Sequence, residues 1–281
     1  MLLAIDIGNT HTTLGVFDGP NLVADFRLRS ERPRTGDEFA ALLTSLLLAR
    51  GMSLAQITGV SMAYVVPPVG DALRDLSRRY LHVEPLVVSA ATDTGLTINY
   101  DPPGAVGADR IVNAFAARVL WGEPQNVPCV VVDYGTATTL DAVSRAGAYE
   151  GGALLPGIGI SLDALFAQAA LLSHVELVPP PAAIGKNTAD ALRSGTLFGF
   201  AAQTDGMVRR FVAELGEGTR VIATGGLAPL IAPHCETVEI VDPDLTLTGL
   251  RLLYERAGPH PLPLPQVGQG PTQAGKGCLT R

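Results

Sequence analysis

The sequence predicts an α/β protein whose two halves carry the same motif and face each other across a cleft. A buried strand at residues 2–7 runs into an Asp-x-Gly turn at Asp6, and a second such strand reaches Asp133. Both turns are rich in threonine. Apolar strands alternate with helical patterns in both halves, which is typical of mixed sheets with right-handed crossovers.

The composition indicates a well-packed protein without a nucleic-acid surface. The chain has 281 residues, of which 47% are hydrophobic and 17% charged. That length suits two domains, and that apolar fraction supports a sizeable core. The net charge of −7 argues against nucleic-acid binding, which needs a dense basic face. An anionic ligand would have to be held by a few well-placed cations.

The cysteines and the apolar runs predict a cytoplasmic protein that is not membrane-bound. Cys129, Cys235 and Cys278 are odd in number and lack CxxC spacing, which favours a reducing compartment. The start of the chain has no basic region before a long apolar run, so we expect no signal peptide. The apolar run at 42–48 is too short to span a bilayer.

The first half is predicted to open with an antiparallel meander. Its strands are expected at 2–7, 12–17 and 21–28, with Asp18-Gly19 as a hairpin turn. Thr35 and Glu38 form a capping box that opens a helix to about Arg50. The remaining expected elements are a strand at 57–62, a helix through Tyr80 and a strand at 86–88.

The second half is predicted to repeat this opening. A Gly/Pro loop leads into a helix at Ala108, and a strand and its return follow. The further expected elements are strands at 129–133 and 139–143, a helix capped near Ser161, a long helix from Asn187-Thr188, and strands at 220–224 and 238–241. The Gly/Pro-rich segment 258–281 is predicted to be disordered, and we assign it no function.

The two threonine-rich turns have the chemistry of a phosphate site. Glycine lets the backbone approach a phosphate closely, hydroxyl groups add donors, and an aspartate can hold a metal ion or its water. A single copy is equally well explained as an Asx-type turn. The duplication favours a site that grips a polyphosphate from both sides. The GxxxxGK[ST] pattern is absent, so this is not a P-loop protein.

Asp109 and Arg110 form the next candidate site. Asp109 is explained either as a first-turn acid, favoured by the helix dipole, or as a general base. Arg110 opposes that dipole, so its position suggests an anionic ligand. A forked guanidinium suits a carboxylate.

Two glycine patterns remain open between a structural and a functional interpretation. Gly225-Gly226 ends a buried strand and allows a ligand close to the backbone, although a plain strand–helix turn fits equally well. A small-residue stripe on the long helix fits close packing within the monomer or a dimer seam. The stripe consists of Gly195, Gly199, Ala202 and Gly206.

Taken together, these motifs resemble the type III pantothenate kinases, within the acetate and sugar kinase, Hsp70 and actin superfamily. The matching segments are 6–10, Tyr100, 107–110, 133–139, 152–161, 184–188 and 224–228. The resemblance implies two ribonuclease-H-like (actin-like ATPase) domains, each a mixed sheet flanked by helices, at 1–117 and 118–257. It also implies a homodimer and ATP-dependent phosphorylation of pantothenate to 4′-phosphopantothenate, the first step of coenzyme A synthesis.

The resemblance further implies roles for individual residues. Asp109 would accept the proton of the pantothenate hydroxyl, Asp133 would bind a monovalent cation (K⁺ or NH₄⁺), and Mg²⁺ would accompany ATP. The residues implied along the ATP phosphates are Asp6, Ile7, Gly8, Asn9, Thr10, His11, Thr12, Thr13 and Thr136. Those implied around pantothenate are Tyr100, Gly107, Ala108, Asp109, Arg110 and, across the dimer, Thr188.

Two positions depart from the family pattern, and two other functions remain open. Tyr134 stands where a smaller or apolar residue is expected, and Thr248 replaces an expected glutamate. One alternative is a non-catalytic regulatory accessory factor of the same fold, although the intact aspartates argue against it. The other is a kinase for another small substrate, which the 107–110 segment disfavours. A purely structural protein would not explain paired phosphate turns.

Overall fold

The computed structural model describes residues 1–31, 34–169 and 175–258, which form two mixed sheets flanked by helices. The first sheet has the order β3-β2-β1-β4-β5. Its strands are β1 (Leu2–Ile7), β2 (His11–Asp18), β3 (Asn21–Arg29), β4 (Gly59–Tyr64) and β5 (Leu86–Val87). The second sheet has the order β11-β10-β7-β8-β9-β6. Its strands are β6 (Thr97–Ile98), β7 (Cys129–Tyr134), β8 (Ala137–Val143), β9 (Ala148–Pro156), β10 (Arg220–Thr224) and β11 (Ile240–Val241).

Helices cover the faces of both sheets. They are α1 (Gly36–Ala49), α2 (Pro67–Leu76), α3 (Ala108–Ala117), α4 (Glu123–Gln125), α5 (Ile158–Gln168), α6 (Thr188–Leu215), α7 (Ala228–Ile231) and α8 (Leu245–Arg256). None of the helices within the described residues is long and apolar enough to cross a membrane.

The predicted duplication is confirmed by the strand pairing. β1 pairs antiparallel with β2 and parallel with β4, and β7 pairs in the same way with β8 and β10. The register places Asp6 opposite Thr13 and Asp133 opposite Thr139. The two aspartates therefore occupy equivalent positions near the carboxyl ends of the two central strands.

The capping box of α1 forms as predicted. Glu38 N–H donates to Thr35 Oγ1 at 3.3 Å, and Thr35 N–H donates to the Glu38 carboxylate at 2.7 Å. Phe39, Leu43 and Leu47 then recur at helical spacing and are buried in the first core. Each such side chain contributes about 1.5–3 kcal/mol when fully buried.

Several predicted boundaries are wrong by a few residues. α2 ends at Leu76, and residues 77–81 continue as a π turn that His82 closes in the left-handed conformation. α5 begins at Ile158 after the N-cap Gly157, so Ser161 lies inside the helix. β9 was not predicted at all; its glycines fit the ladder with β8, where a Cβ on Gly152 would lie 1.9 Å from Leu140 O. The strands observed as β4, β8 and β11 start two residues away from their predicted starts.

Tyr134 has a clear structural role. Its ring is only 1% exposed, within the second core. Its hydroxyl lies 2.7 Å from Thr204 Oγ1 of α6 and 3.6 Å from Cys235 Sγ. These partners satisfy the buried hydroxyl, so the strand tolerates a tyrosine here. Nothing in the structure explains Thr248.

The two halves of the chain interlock. β6 belongs to the first half of the sequence yet pairs with β9 in the second sheet. α8 comes from the end of the described chain and packs on β1, β4 and α3. A Cβ on Gly249 of α8 would lie 2.7 Å from the Val112 side chain of α3, which shows how closely these helices approach. The domain limits at 117 and 257 remain a prediction, and the predicted disordered tail lies, from residue 259 onward, outside the described residues.

Candidate active site

The two threonine-rich turns meet between the sheets. Thr10 follows β1 and Thr136 follows β7, and their Oγ1 atoms are 3.0 Å apart. This distance is that of a hydrogen bond between the two halves of the molecule. The structure therefore brings together the turns that the sequence predicted to face each other.

Three carboxylates with raised pKa values lie near these turns. Burial, followed by the charges of Asp109 and Asp133, raises the pKa of Asp6 to about 8. Burial, followed by Asp109 and Asp141, raises the pKa of Asp133 to about 7. Burial also raises the pKa of Asp109. Asp6, Asp109 and Asp133 each keep some solvent exposure, so a ligand can reach them.

Asp133 is held by residues that the sequence analysis missed. Asn113 Nδ2 donates to Asp133 Oδ2 at 3.3 Å, and Thr246 Oγ1 of α8 donates to Asn113 Oδ1 at 2.7 Å. Thr246 thereby holds the Asn113 amide with its nitrogen, rather than its oxygen, toward the Asp133 carboxylate. Asn113 lies four residues after Asp109 in α3, so both project from one helix face. The four-residue spacing from Asp109 was the sequence signal that could have identified Asn113.

Gly225 makes room for Asp133 on the other side. It adopts φ +89°, and a Cβ there would lie 2.3 Å from Asp133 Oδ1. The turn after β10 therefore needs glycine for its conformation and for the close approach of the carboxylate. This supports the view that Gly225 is a site residue rather than part of a plain turn.

Arg110 forms a buried ion pair, which supplies the structural reason for its unusual position. Its Nε donates to Asp141 Oδ1 at 2.7 Å, and the Tyr149 hydroxyl donates to the same oxygen at 2.7 Å. Arg110 is 7% exposed and Asp141 is fully buried. Burial alone would lower the pKa of Arg110, but the charge and hydrogen bond of Asp141, together with Tyr149 and Tyr100, outweigh it and raise that pKa. Sequence patterns gave no indication of Asp141 or Tyr149.

Arg110 keeps unused hydrogen-bonding capacity. Its Nη2 lies 2.7 Å from Asp141 Oδ1, but the direction is not that of a hydrogen bond and the buried Nη2 has no acceptor among the described residues. Gly152 lies against this nitrogen, because a Cβ there would be 2.7 Å from it. A buried donor without a partner is costly, so a ligand acceptor at this position would be favourable.

Tyr100 lies near Arg110, whereas no hydrogen bond among the described residues connects Thr188 to this segment. The Tyr100 and Tyr149 rings are 6.3 Å apart, and the Arg110 guanidinium is 5.9 Å from the Tyr149 ring centre. Thr188 is the first residue of α6. Across residues 1–31, 34–169 and 175–258, no hydrogen bond joins Thr188 to Tyr100 or the 107–110 segment. Tyr100 and the 107–110 segment therefore lie together within one chain.

The donor set near the turns suits hard cations. Asp6 and Asp133 supply carboxylate oxygens, and such ligands favour Mg²⁺ or K⁺ over softer metals. In the part of the chain that the structure describes, no cluster of three or more His, Cys, Asp or Glu side chains could hold a metal alone. A bound cation would therefore need phosphate, backbone or water oxygens in addition. This fits a nucleotide-linked cation.

The raised pKa values predict that the ligand-free protein loses stability as the pH rises. Asp6 and Asp133 titrate in the folded state at about 8 and about 7, against an ordinary value of 3.8. Below about pH 4 the two carboxyls are protonated in both the folded and the unfolded state. Above that pH they lose their protons in the unfolded chain but keep them in the folded protein. The free energy of unfolding therefore falls until about pH 8. We expect the melting temperature to decrease across this range. Asp6→Asn should flatten the decrease, and an unchanged slope in that variant would contradict the assignment.

Comparison with known proteins identifies the family. A family model described as type III pantothenate kinase matches residues 2–210. The type III pantothenate kinase of Moorella thermoacetica is 48% identical over 256 residues, covering 91% of this chain and 99% of that protein. That of Desulfatibacillum aliphaticivorans is 49% identical over 257 residues, covering 91% and 98%.

Solved structures agree on the fold. A Baf family transcriptional activator from Campylobacter jejuni matches with a TM-score of 0.57 at 19% identity, covering 91% of this chain and 98% of that one. The ethanolamine utilization protein EutJ from Carboxydothermus hydrogenoformans matches with a TM-score of 0.54 at 14% identity, covering 89% of each. At such identities the likeness concerns the fold alone. From the family match and the close relatives, the chain belongs to the type III pantothenate kinase family.

Proposed function

We propose that the protein transfers the γ-phosphoryl group of ATP to the primary hydroxyl of pantothenate, giving 4′-phosphopantothenate and ADP. The observation that carries this proposal is the meeting of Asp6, Asp109 and Asp133 beside the Thr10–Thr136 contact. Phosphoryl transfer depends mainly on alignment and charge neutralisation. A cleft with two donor-rich turns and a separate carboxylate supplies both.

The first turn and Thr136 form the proposed ATP phosphate site. The backbone N–H groups of the first turn and the hydroxyls of Thr10 and Thr13 are proposed to line one side, and Thr136 the other. Thr12, although predicted for this site, is fully buried, and its hydroxyl lies 2.9 Å from Ser30 Oγ. The Thr10–Thr136 hydrogen bond shows that both turns reach the same point. Mg²⁺, when bound with ATP, neutralises phosphate charge and aligns the phosphoryl group for in-line transfer.

Asp109 is the proposed general base. Arg110 N–H donates to Asp109 Oδ1 at 2.9 Å, which orients the carboxylate at the start of α3. Burial brings its pKa closer to the working pH, which makes it a better proton acceptor. The pantothenate hydroxyl gives its proton to Asp109 as its oxygen bonds to the γ-phosphorus. The bond from that phosphorus to the β–γ bridging oxygen breaks, and ADP leaves.

Pantothenate is proposed to lie along Tyr100 and the 107–110 segment. The unused Nη2 donors of Arg110 suit its carboxylate, and Tyr100 lies beside them. A Cβ on Gly107 would lie 2.5 Å from Asp109 Oδ1, so a larger residue there would displace the base. Gly107 and Ala108 therefore leave space for both carboxylate and ligand.

We propose a homodimer in which Thr188 reaches the site of the other subunit. Gly195, Gly199 and Gly206 of α6 are exposed, and nothing in the described chain lies within 4 Å of a Cβ built on them. Packing within the monomer therefore does not account for the small-residue stripe. Exposed Ile184, next to the start of α6, adds apolar surface. A second copy would cover this face and bring Thr188 to the ligand.

Two further proposals concern the cation and the compartment. Asp133 is proposed to bind K⁺ or NH₄⁺, because its half-buried carboxylate has no ion-pair partner among the described residues. A cytoplasmic location is supported by Cys129 and Cys235, which are both free thiols. Burial raises the pKa of the Cys129 thiol to about 12, so it is unreactive.

A coupled assay of ADP release tests this function. We expect turnover only when ATP, Mg²⁺ and pantothenate are all present, and a large loss when K⁺ and NH₄⁺ are replaced by Na⁺ or Tris. Acetate and a hexose serve as acceptor controls. Turnover with either control but not with pantothenate would refute the substrate assignment. Activity indifferent to the monovalent cation would remove that role from Asp133.

A further inference from the structure

Arg27 lies in line with the nucleotide turn. It stands on β3 directly opposite Thr13 of β2, and Thr13 stands directly opposite Asp6 of β1. Residues directly opposite each other on antiparallel strands project to the same face of the sheet. Asp6, Thr13 and Arg27 therefore form one row across three strands, in which Arg27 is two strand spacings, about 10 Å, from Asp6.

The guanidinium of Arg27 extends from the first sheet to the second half of the molecule. A Cβ on Gly226 would lie 3.2 Å from Arg27 Nη1 and 3.6 Å from Nη2. Gly226 follows Gly225, whose backbone lies against Asp133. The side chain thus crosses the cleft from the Asp6 side to the Asp133 side, and the second glycine of this turn leaves space for it.

Arg27 has no protein partner that would explain this position. The side chain is exposed, and within the described ranges its guanidinium makes no hydrogen bond or ion pair. Most other arginines of this acidic chain are paired, as Arg78 is with Glu84 at 2.7 Å. The nearest charged group that responds to Arg27 is Asp6, whose pKa it lowers against the effect of burial. Five free donors at an otherwise acidic cleft suit an anion.

We propose that Arg27 moves away from Gly226 and binds the non-bridging oxygens of the phosphoryl group being transferred. This inference rests on the phosphoryl transfer proposed above. In that step negative charge spreads over three equatorial oxygens, and a forked guanidinium matches two of them. Because the chain has a net charge of −7 and three carboxylates at the site, a resident cation there would offset their repulsion of the phosphates.

Kinetics of Arg27→Gln and Arg27→Lys test the proposal. We expect kcat to fall by about 100-fold or more in the glutamine variant, as for other lost donors to transition-state charge, and to recover in part with lysine. Arg50→Gln removes the same charge from the exposed C-cap residue of α1 and should leave kcat unchanged. A kcat for Arg27→Gln within about threefold of the parent would overturn the proposal. Equal melting temperatures for all variants establish that each is folded.

Nucleotide binding supplies a readout that does not depend on the acceptor. Calorimetry with MgADP and with a non-hydrolysable Mg-ATP analogue separates the γ-phosphoryl group from the rest of the nucleotide. We expect Arg27→Gln to bind MgADP like the parent and to bind the analogue at least about tenfold more weakly. Equal losses for both nucleotides would place Arg27 elsewhere on the nucleotide and overturn the assignment. If pantothenate proved not to be the acceptor, this arm would still decide the role of Arg27.

Discussion

Replacing Asp109 by asparagine is expected to lower kcat by about 100- to 10,000-fold, the range of a positioned general base. The amide oxygen can still accept the Arg110 N–H that now bonds Asp109 Oδ1 at 2.9 Å, so the start of α3 should keep its geometry. The amide cannot accept the hydroxyl proton. The loss should therefore appear in kcat, measured by the coupled assay at saturating ATP and pantothenate.

Two comparisons make this result specific to the base. Asp109→Glu keeps a carboxylate but moves it, and we expect partial activity from it. The affinity for Mg-ATP should be the same in Asp109→Asn and the parent, because Asp109 is not assigned to the nucleotide. Full activity of Asp109→Asn would exclude general-base catalysis by this residue. A lost melting transition would instead show that the carboxylate is structural.

Replacing Asp141 by asparagine is expected to cost about 3–5 kcal/mol of the free energy of unfolding. The change removes the negative partner of Arg110, whose guanidinium is 7% exposed and would remain buried without a counter-charge. It also weakens the acceptor of the Tyr149 hydroxyl. Urea unfolding followed by circular dichroism measures the loss. Because Arg110 is proposed to bind the carboxylate of pantothenate, KM for pantothenate should rise as well.

A double variant tests whether the loss of stability in Asp141→Asn comes from leaving the Arg110 charge buried without a partner. Arg110→Met combined with Asp141→Leu removes both charges, and its stability should exceed that of Asp141→Asn. The surface pair of Arg79 and Asp75, at 2.9 Å, is the matched control. Asp75→Asn should change stability far less, because both side chains are solvent-exposed. An equal loss of stability in Asp141→Asn and Asp75→Asn would show that burial of the Arg110 ion pair does not cause the loss.

Much of the fold could be predicted from the sequence because its signals are local. The apolar run before Asp6, the Asp18-Gly19 turn and the Thr35–Glu38 box each specify a short segment without help from the rest of the chain. The repeat of the first signal at Asp133 then predicts the pairing of the two halves. Boundaries were less accurate. The strand β9 was not predicted, because glycines weaken a strand pattern, yet they lie inside its ladder with β8.

Only those site residues that lie in a recognisable sequence motif could be predicted. Asp109 and Asp133 stand out by type and position, and the spacing of Asn113 from Asp109 was a further signal, but the more distant supporting residues carry no sequence pattern. Asp141 is a buried strand carboxylate whose partner Arg110 is 31 residues away in the chain. Thr246, which orients the amide of Asn113, is 133 residues from it. Arg27 resembles any exposed strand arginine until the register aligns it with Asp6. Such contacts arise from tertiary packing.

The hydroxyl contact between Thr10 and Thr136 has a consequence for how substrate enters. In the ligand-free protein each hydroxyl already has a partner, at 3.0 Å, so neither is left without a hydrogen bond while the cleft waits. A phosphate oxygen that binds at the proposed site would replace this partner. One neutral hydrogen bond contributes only about 0.5–1.5 kcal/mol, so breaking the Thr10–Thr136 contact would cost little. The contact would therefore not prevent the two turns from binding a phosphate.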